Sequence, residues 1–317
     1  MNTGKTILIT GAAGNLGGLL AKHLQKRTLH LLVHKKEIEN ELKNRPNIKI
    51  FKADLAQKET LYPALKDVDT VVHFAGVLFK ARPEKFLPTT NTLYFNNLLT
   101  AALEEKVKRI ILISFPHVEG ETTPQHLAKG SLEGNPVSVH AATRLQEEKD
   151  LFRRCSEAGV EAVSLRLGMV YGKGILMIDA AEWLGRHHLL GVWKKPTYIH
   201  LISKDDFLTA TTAAVDKEKA EGIYHIGDDG VQTLQEFLDK VARYKGYRKP
   251  LRLPLGMIVA TARLCELFSA IFNTRSPLTK DFIAIGRVSY YSDTSRMKQD
   301  LLPKLKYKTF EDGFETF

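Results

Sequence analysis

Short apolar runs alternate with amphipathic stretches through the first half of the chain. Lys5-Thr6-Ile7-Leu8-Ile9-Thr10 is apolar and rich in β-branched residues, the pattern of a strand buried on both faces. Residues 16–24 follow, with Leu16, Leu19, Leu20 and Leu24 along one helical stripe. Further strands are expected at 29–33, 48–53, 70–76, 109–114 and 162–167, with helices between them at about 60–65, 91–104 and 140–158. Such regular alternation predicts an α/β fold, a doubly wound parallel sheet with helices on both faces. No repeat, low-complexity tract or Pro/Gly/Ser-rich linker divides the sequence.

Between the first strand and the first helix lies Thr10-Gly11-Ala12-Ala13-Gly14-Asn15-Leu16-Gly17. A strand that turns through glycines into a helix gathers backbone N–H groups and the positive helix end at one spot, which suits a pyrophosphate. Gly11 permits the tight turn, Gly14 the close approach of phosphates, and Gly17 the packing of helix on strand. Gly11, Ala13, Gly14, Asn15, Leu16 and Gly17 are therefore the expected dinucleotide cradle. An NAD site would carry a carboxylate for the ribose hydroxyls at the end of the second strand. Here that strand ends in His34-Lys35-Lys36, with no acid before Glu37. A basic cluster attracts a 2′-phosphate, so NADP is expected in preference to NAD. Asp54, after the third strand, can accept from the adenine amino group while Leu55 lines the ring pocket. Phe74, Ala75 and Gly76 close the fourth strand with small residues that let backbone approach the cofactor.

Composition narrows the picture further. An apolar content of 44% in 317 residues is ample for a core. The two cysteines, Cys155 and Cys265, form no CxxC pair, so neither a metal site nor a disulfide framework is expected, and a reducing, cytoplasmic setting fits. The first strand follows Met1 almost directly, without the charged-then-apolar pattern of a signal peptide. The net charge of +10 comes from lysines scattered in pairs such as Lys35-Lys36 and Lys194-Lys195, with no basic helix and no interleaved aromatics. A small-molecule substrate is expected, and a nucleic-acid partner is not.

In these features the chain resembles the extended short-chain dehydrogenase/reductase family, the branch of nucleotide-sugar epimerases and dehydratases and hydroxysteroid-dehydrogenase-like proteins. The marks are the glycine turn at 10–17, Asp54-Leu55, Val72-His73-Phe74-Ala75-Gly76, Asn91 opening the fourth helix, and Arg166-Leu-Gly-Met-Val-Tyr-Gly172. His200 to Asp206 and Gly222 to Gly227 follow in the family's order. The resemblance implies a Rossmann-type domain over 1–172 and a smaller, mainly substrate-binding domain over 173–317. A segment near 198–226 would return to the Rossmann side. It also implies a nicotinamide cofactor between the domains, with Asn91 beside it, and a homodimer paired through the fourth and fifth helices.

That family places a Tyr and a Lys four residues apart on one helix face, and a Ser or Thr after the fifth strand. The Tyr acts as acid or base, the Lys lowers its pKa and holds the nicotinamide ribose, and the hydroxyl orients the substrate oxygen. Here the Tyr position holds His140 and the Lys position Arg144. Ser114 matches the first polar position after the strand, while the usual hydroxyl falls at Phe115 or Pro116. Three readings stand. In one, the chain is an atypical reductase whose proton donor lies elsewhere, such as Tyr94, Tyr171 or Lys80. Alternatively His140 is the acid or base, its reference pKa suiting neutral pH, with Arg144 on the ribose. Arg144 would then depress the imidazole pKa and, unlike Lys, could not relay a proton. In the third reading the site binds nucleotide without turnover, as a redox sensor or scaffold.

In the C-terminal part a helix is expected at 175–190 with Trp183 packing at the domain boundary, and strands at 198–202 and 224–227. Asp205 or Asp206 is the expected cap of the helix through Ala214, and Thr233 with Glu236 forms a capping box. Residues 253–272 are the most apolar stretch, but Arg263 and Glu266 interrupt it, so no integral membrane span is expected. A helix lining an apolar substrate pocket or a subunit interface is expected there, with peripheral membrane contact as the lesser alternative. Pro277-Leu278-Thr279 and residues 292–296 resemble the hydroxysteroid branch, and residues 310–314 resemble the family's closing helix.

Overall fold

Ile7 and Ile9 enter one apolar core and Leu8, between them, enters another. Successive strand residues face opposite ways, so one short apolar run serves both faces of a sheet. The computed structural model describes residues 4–76, 80, 82–272, 274, 276 and 278–317. Its strands are β1 (Thr6–Thr10), β2 (Thr28–Val33), β3 (Ile48–Lys52), β4 (Thr70–His73), β5 (Arg109–Ser114), β6 (Glu161–Leu167), β7 (Met169–Tyr171), β8 (Gly191–Trp193), β9 (Tyr198–Ile199), β10 (Leu201–Ser203), β11 (Gly222–Ile226), β12 (Gln232–Thr233) and β13 (Leu251–Leu253). The helices are α1 (Asn15–His23), α2 (Asn40–Lys43), α3 (Tyr62–Leu65), α4 (Tyr94–Glu104), α5 (Val139–Ala158), α6 (Leu176–Arg186), α7 (Lys204–Asp216), α8 (Leu234–Tyr244), α9 (Leu255–Phe272), α10 (Lys280–Gly286) and α11 (Ser295–Asp300).

Seven strands form the central sheet in the order β11-β6-β5-β4-β1-β2-β3, every pair parallel. Leu20 of α1 and Phe207 of α7 cover one face, and Leu98 of α4 and Leu151 of α5 cover the other. Each is almost wholly buried, which is worth about 1.5–3 kcal/mol per side chain. The sheet is thus the doubly wound, Rossmann-type one that the alternation predicts. After β6 the pattern breaks into two-stranded pieces, β7 with β10, β9 with β12 and β8 with β13. Between them β11 joins the open edge of the main sheet beside β6.

Several local expectations are corrected. The fourth strand stops at His73 rather than Gly76. Thr10 Oγ1 lies 2.8 Å from His73 Nδ1 and also accepts from the amides of Phe74 and Ala75, which draws the backbone out of the ladder toward the end of β1. Asn91 does not open an α-helix; it sits in a π-helical turn, Pro88–Leu93, that runs into α4. Ser203, not Asp205 or Asp206, caps α7 by accepting from the Asp206 amide at 3.0 Å. The Asp206 carboxylate instead accepts from the amides of Lys306 and Tyr307, pinning the C-terminal tail. The capping box of Thr233 and Glu236 forms as expected. Trp183 does not pack at a boundary: it is 56% exposed and lies against His187. The tail holds turns and a 3-10 turn, Phe314–Thr316, where a helix was expected. There Phe310 packs edge-on against Tyr171 and Phe237. Most of the apolar side of helix α9 points outward. Pro277 lies outside the described residues.

Helix α5 is fixed to the sheet by charge. Arg166 of β6 and Glu148 of α5 have fully buried side chains, with Nη2 donating to Oε2 at 2.5 Å and Nε to Oε1 at 3.1 Å. Arg166 also pairs with Glu119 and donates to the Ser131 carbonyl at 2.8 Å. Ser164 donates to Glu148 at 2.8 Å, as does Ser114. Glu119 takes the amides of Lys129 and Gly130 and lies 3.1 Å from His225 Nε2. Burial pushes the Glu119 carboxyl up, but His225 and Arg166 outweigh it and hold it at about 2. Removing one partner of such a pair strands a buried charge. Glu148→Ala should therefore lower unfolding free energy in urea by about 3–5 kcal/mol, and a loss below about 1 kcal/mol would contradict the reading.

Candidate functional site

The carboxyl ends of β1, β4 and β5 lie side by side, and the residues singled out in the sequence divide into those that gather there and those that do not. Gly11 has φ +67°, and a Cβ on it would stand 3.0 Å from the Ala75 nitrogen. Only glycine fits a left-handed turn pressed this closely on the residues after β4. A Cβ on Gly17 would meet the Gly11 carbonyl oxygen at 2.5 Å, so Gly17 packs against the turn itself. Gly14 is the N-cap of α1 and offers no side-chain acceptor to the first helical amides. Those N–H groups face the turn unpaired by any cap, which suits an anion. Ala13 and Leu16 are half-buried on the same turn. Asn15 uses its side chain otherwise: its Nδ2 donates to the Gly174 carbonyl at 2.6 Å and its Oδ1 accepts from the Leu176 amide at 3.0 Å. It thereby ties the turn to the start of α6.

At the far end of the cradle His34, Lys35 and Lys36 are exposed after β2. His34 Nδ1 lies 3.8 Å from the Asp54 carboxylate, whose Oδ1 accepts from the Ala56 amide. Leu55 is half-buried beside them. Phe74 is half-buried against Phe207, with Ala75 beside Gly11 and Gly76 exposed.

Helix α5 carries the remaining groups. Ser138 caps it, accepting from the Ala141 amide at 3.1 Å, so His140 and Arg144 fall in its first turns, four residues apart on one face. A Cβ on Gly76 would stand 3.1 Å from Arg144 Nη2, which places the guanidinium at the end of β4. Arg144 Nη1 is 2.6 Å from Glu147 Oε2. Among the described residues the Glu147 oxygens have no other partner. Burial raises the Glu147 carboxyl to about 7 against the pull of Arg144. Asn91 is buried, its Nδ2 donating to Thr143 Oγ1 at 3.1 Å and its Oδ1 without a hydrogen-bond partner among the described residues. His140 is 7% exposed, edge-on to Phe115 at 5.3 Å, and Phe115 stacks on His117 at 4.4 Å. His117 in turn lies 4.3 Å from the Tyr290 ring. Burial, then Arg144, then His117 lower the His140 pKa to about 3, so the imidazole is neutral.

Ser114 stands apart from this group, buried with its hydroxyl given to Glu148. Tyr171 is buried in the core and donates to the Thr309 carbonyl. Tyr94 is half-buried on α4 and Lys80 is exposed.

The sequence over residues 7–227 matches the model of the NAD dependent epimerase/dehydratase family. The chain belongs to this family. It is 31% identical over 156 residues to an uncharacterized membrane protein of Methanocaldococcus jannaschii, a match covering 46% of this chain and 42% of that one. The chain thus spans less than half the length of that relative. It is 25% identical over 196 residues to uronate dehydrogenase of Pseudomonas syringae pv. tomato, covering 61% and 69% of the two chains. Among solved structures, a UDP-glucuronic acid 4-epimerase variant from Bacillus cereus, in complex with a fluorinated UDP-sugar and NAD, superposes with TM-score 0.77. That match is 20% identical and covers 98% and 97% of the two chains. At that identity it speaks for the fold.

Within this epimerase/dehydratase framework three residues went unremarked in the sequence. Glu147 had a signal, an acid three residues after Arg144 on the same face. His117 follows the fifth strand closely enough to be suspected. Nothing local pointed to Tyr290, which arrives from the far end of the chain.

The buried neutral His140 makes a testable demand on stability. Its pKa is about 3 folded against 6.5 as the ordinary value. Below about pH 6.5 the unfolded chain binds the proton and the folded one does not, so this contribution is full above that pH and is lost as pH falls toward 3. His140→Phe should therefore lose less stability than the native chain between pH 7 and pH 4, by about 3 kcal/mol in urea unfolding. Equal acid losses in both would show that His140 protonates freely in the folded state.

Proposed function

We propose that this chain is an NADP-preferring oxidoreductase, or a redox-coupled epimerase/dehydratase-like enzyme, acting on a small hydroxyl or carbonyl compound. One observation carries the reading: the glycine turn, Gly76, Asn91, Arg144 and His140 converge on the carboxyl ends of adjacent parallel strands. Ligands of open α/β sheets bind there. The residues fit a nicotinamide dinucleotide. The uncapped amides of α1 would hold the pyrophosphate, Asp54 the adenine, and Lys35 with Lys36 the 2′-phosphate. Arg144 and Asn91 Oδ1, which has no partner among the described residues, would hold the nicotinamide ribose. Bound there, the nicotinamide supplies a hydride donor or acceptor.

The rest of the chemistry falls to the chain's own side chains. A neutral His140 presents one N–H donor and one lone pair, enough to orient a carbonyl or hydroxyl oxygen but too weakly basic to take its proton outright. Arg144 places a permanent positive charge one helical turn away, where it stabilises negative charge building on that oxygen. Ser114, spent on Glu148, acts as a positioning residue for α5. The cell compartment proposed is the cytoplasm, in keeping with two free cysteines.

The same electrostatics favour a second reading, nucleotide binding without turnover. Arg144 already has a counterion in Glu147, and His140 carries no imidazolium proton to give as an acid at neutral pH. A fluorescence titration with NADPH and NADH, on the native chain and on Lys35→Ala/Lys36→Ala, tests the first claim. NADPH should bind more tightly than NADH, and the double variant should lose about tenfold or more in NADPH affinity with little change for NADH. Equal affinities, unmoved by the substitutions, would remove the NADP preference. NADPH consumption with small carbonyl compounds, abolished in His140→Phe while NADPH still binds, would separate the enzyme from the sensor.

A further inference from the structure

Helix α9 turns most of its apolar surface away from the protein. Met257, Leu264, Leu267, Phe268, Ile271 and Phe272 are each more than half exposed. At 100° per residue they fall on one side, opposite the buried Ile258, Ala262 and Ser269. Ile258 and Ala262 make a small core with Ile283 of α10, flanked by Trp193 and Leu253, and none of the six outward residues joins it among the described residues. Phe268 and Phe272 pair their rings in the open, 4.4 Å apart. No acid lies on this stripe. Glu266, on the inner edge, accepts from the Lys280 amide at 3.0 Å.

Charge gathers around the same helix. By sequence, residues 248–287 contain seven Lys or Arg and two acids, Glu266 and Asp281, a net +5 of the chain's +10; Lys249 and Arg252 pair with Asp239 and Lys280 with Glu266, while Arg248, Arg263 and Arg287 are exposed. Exposed Lys194 and Lys195 follow β8, whose Trp193 pairs with Leu253 of β13 immediately before α9. An apolar stripe rimmed by cations matches an anionic bilayer surface. A second copy of this chain would instead bring like charge against like.

We propose that α9 lies flat on an anionic lipid surface, with its exposed stripe in the headgroup–acyl boundary and the surrounding Lys and Arg facing lipid phosphates. The helix docks rather than spans. Length and composition alone would let these 18 residues cross a bilayer, but Arg263 and Glu266 stand at the middle of the helix and Ile258 and Ala262 on its inner face are held by the protein. Such docking would hold the chain at the membrane while the strand ends that carry the cofactor cradle belong to a different part of the fold.

The test is flotation of the full chain with vesicles of phosphatidylcholine alone and of an equimolar mixture with phosphatidylglycerol. The protein should float with the anionic vesicles and be released when salt rises from about 0.1 M to about 1 M. Leu264→Glu/Phe268→Glu should cut vesicle partitioning by about tenfold or more while leaving NADPH titration and circular dichroism unchanged. Phe268→Trp offers an independent readout, a blue-shifted emission on anionic vesicles alone. Failure to float with either vesicle, or equal partitioning of the double-glutamate variant, would overturn the proposal. So would a concentration-dependent dimer that the same variant abolishes without any vesicle binding, since the stripe would then be a subunit contact.

Discussion

The pairing of Arg166 with Glu148 is the constraint on which the arrangement of the site rests. Both side chains are wholly buried, where an uncompensated charge costs several kcal/mol. Every neighbouring polar group is drawn in to satisfy them: Ser114 and Ser164 from two strands, Glu119 and the Ser131 carbonyl from the loop between β5 and α5. Because Glu148 sits two turns along α5 from His140, fixing its carboxylate fixes the rotation of the helix. The face bearing His140 and Arg144 then points at the strand ends. A looser apolar contact would hold the helix without choosing its rotation so sharply.

That same helix face carries an electrostatic arrangement unlike the Tyr and Lys pair of the wider dehydrogenase resemblance. A guanidinium keeps its charge at any working pH, and here it is balanced by a buried carboxyl whose own pKa rises to about 7. The imidazole nearby is kept neutral by burial first and by this cation second. Polarising an oxygen is therefore easier for this site than exchanging protons with it. Beside His140, Phe115 stacks on His117, which lies tilted against the Tyr290 ring.

Most of the sheet was legible because strand and helix periods alternate cleanly and the strands are buried on both faces. The glycine turn was legible for the same physical reason, since Gly11 must be glycine wherever a strand turns tightly against its neighbour. What was not legible depended on partners distant in sequence. The early end of β4 comes from Thr10 reaching across to Phe74 and Ala75, 64 and 65 residues away. The fate of the Ser114 hydroxyl is set by Glu148, and that of the Asp206 carboxylate by the tail at Lys306 and Tyr307. The apolar composition of α9 was plain, but composition does not say whether such a surface turns inward or outward. Of the two- and three-residue strands, only the region of β9 and β10 was anticipated; β8, β12 and β13 carry too little periodicity to be read.

The account turns on the claim that the α5 face and the glycine turn hold one nicotinamide nucleotide between them, and a crystal structure of the chain with NADPH is its most direct test. The pyrophosphate is expected on the first amides of α1 and the 2′-phosphate beside Lys35 and Lys36. Arg144 should hydrogen-bond the nicotinamide ribose, with the ring between Gly76 and His140. A nucleotide bound away from the glycine turn, or Arg144 still engaged with Glu147 alone while the nicotinamide lies outside the cleft, would contradict it.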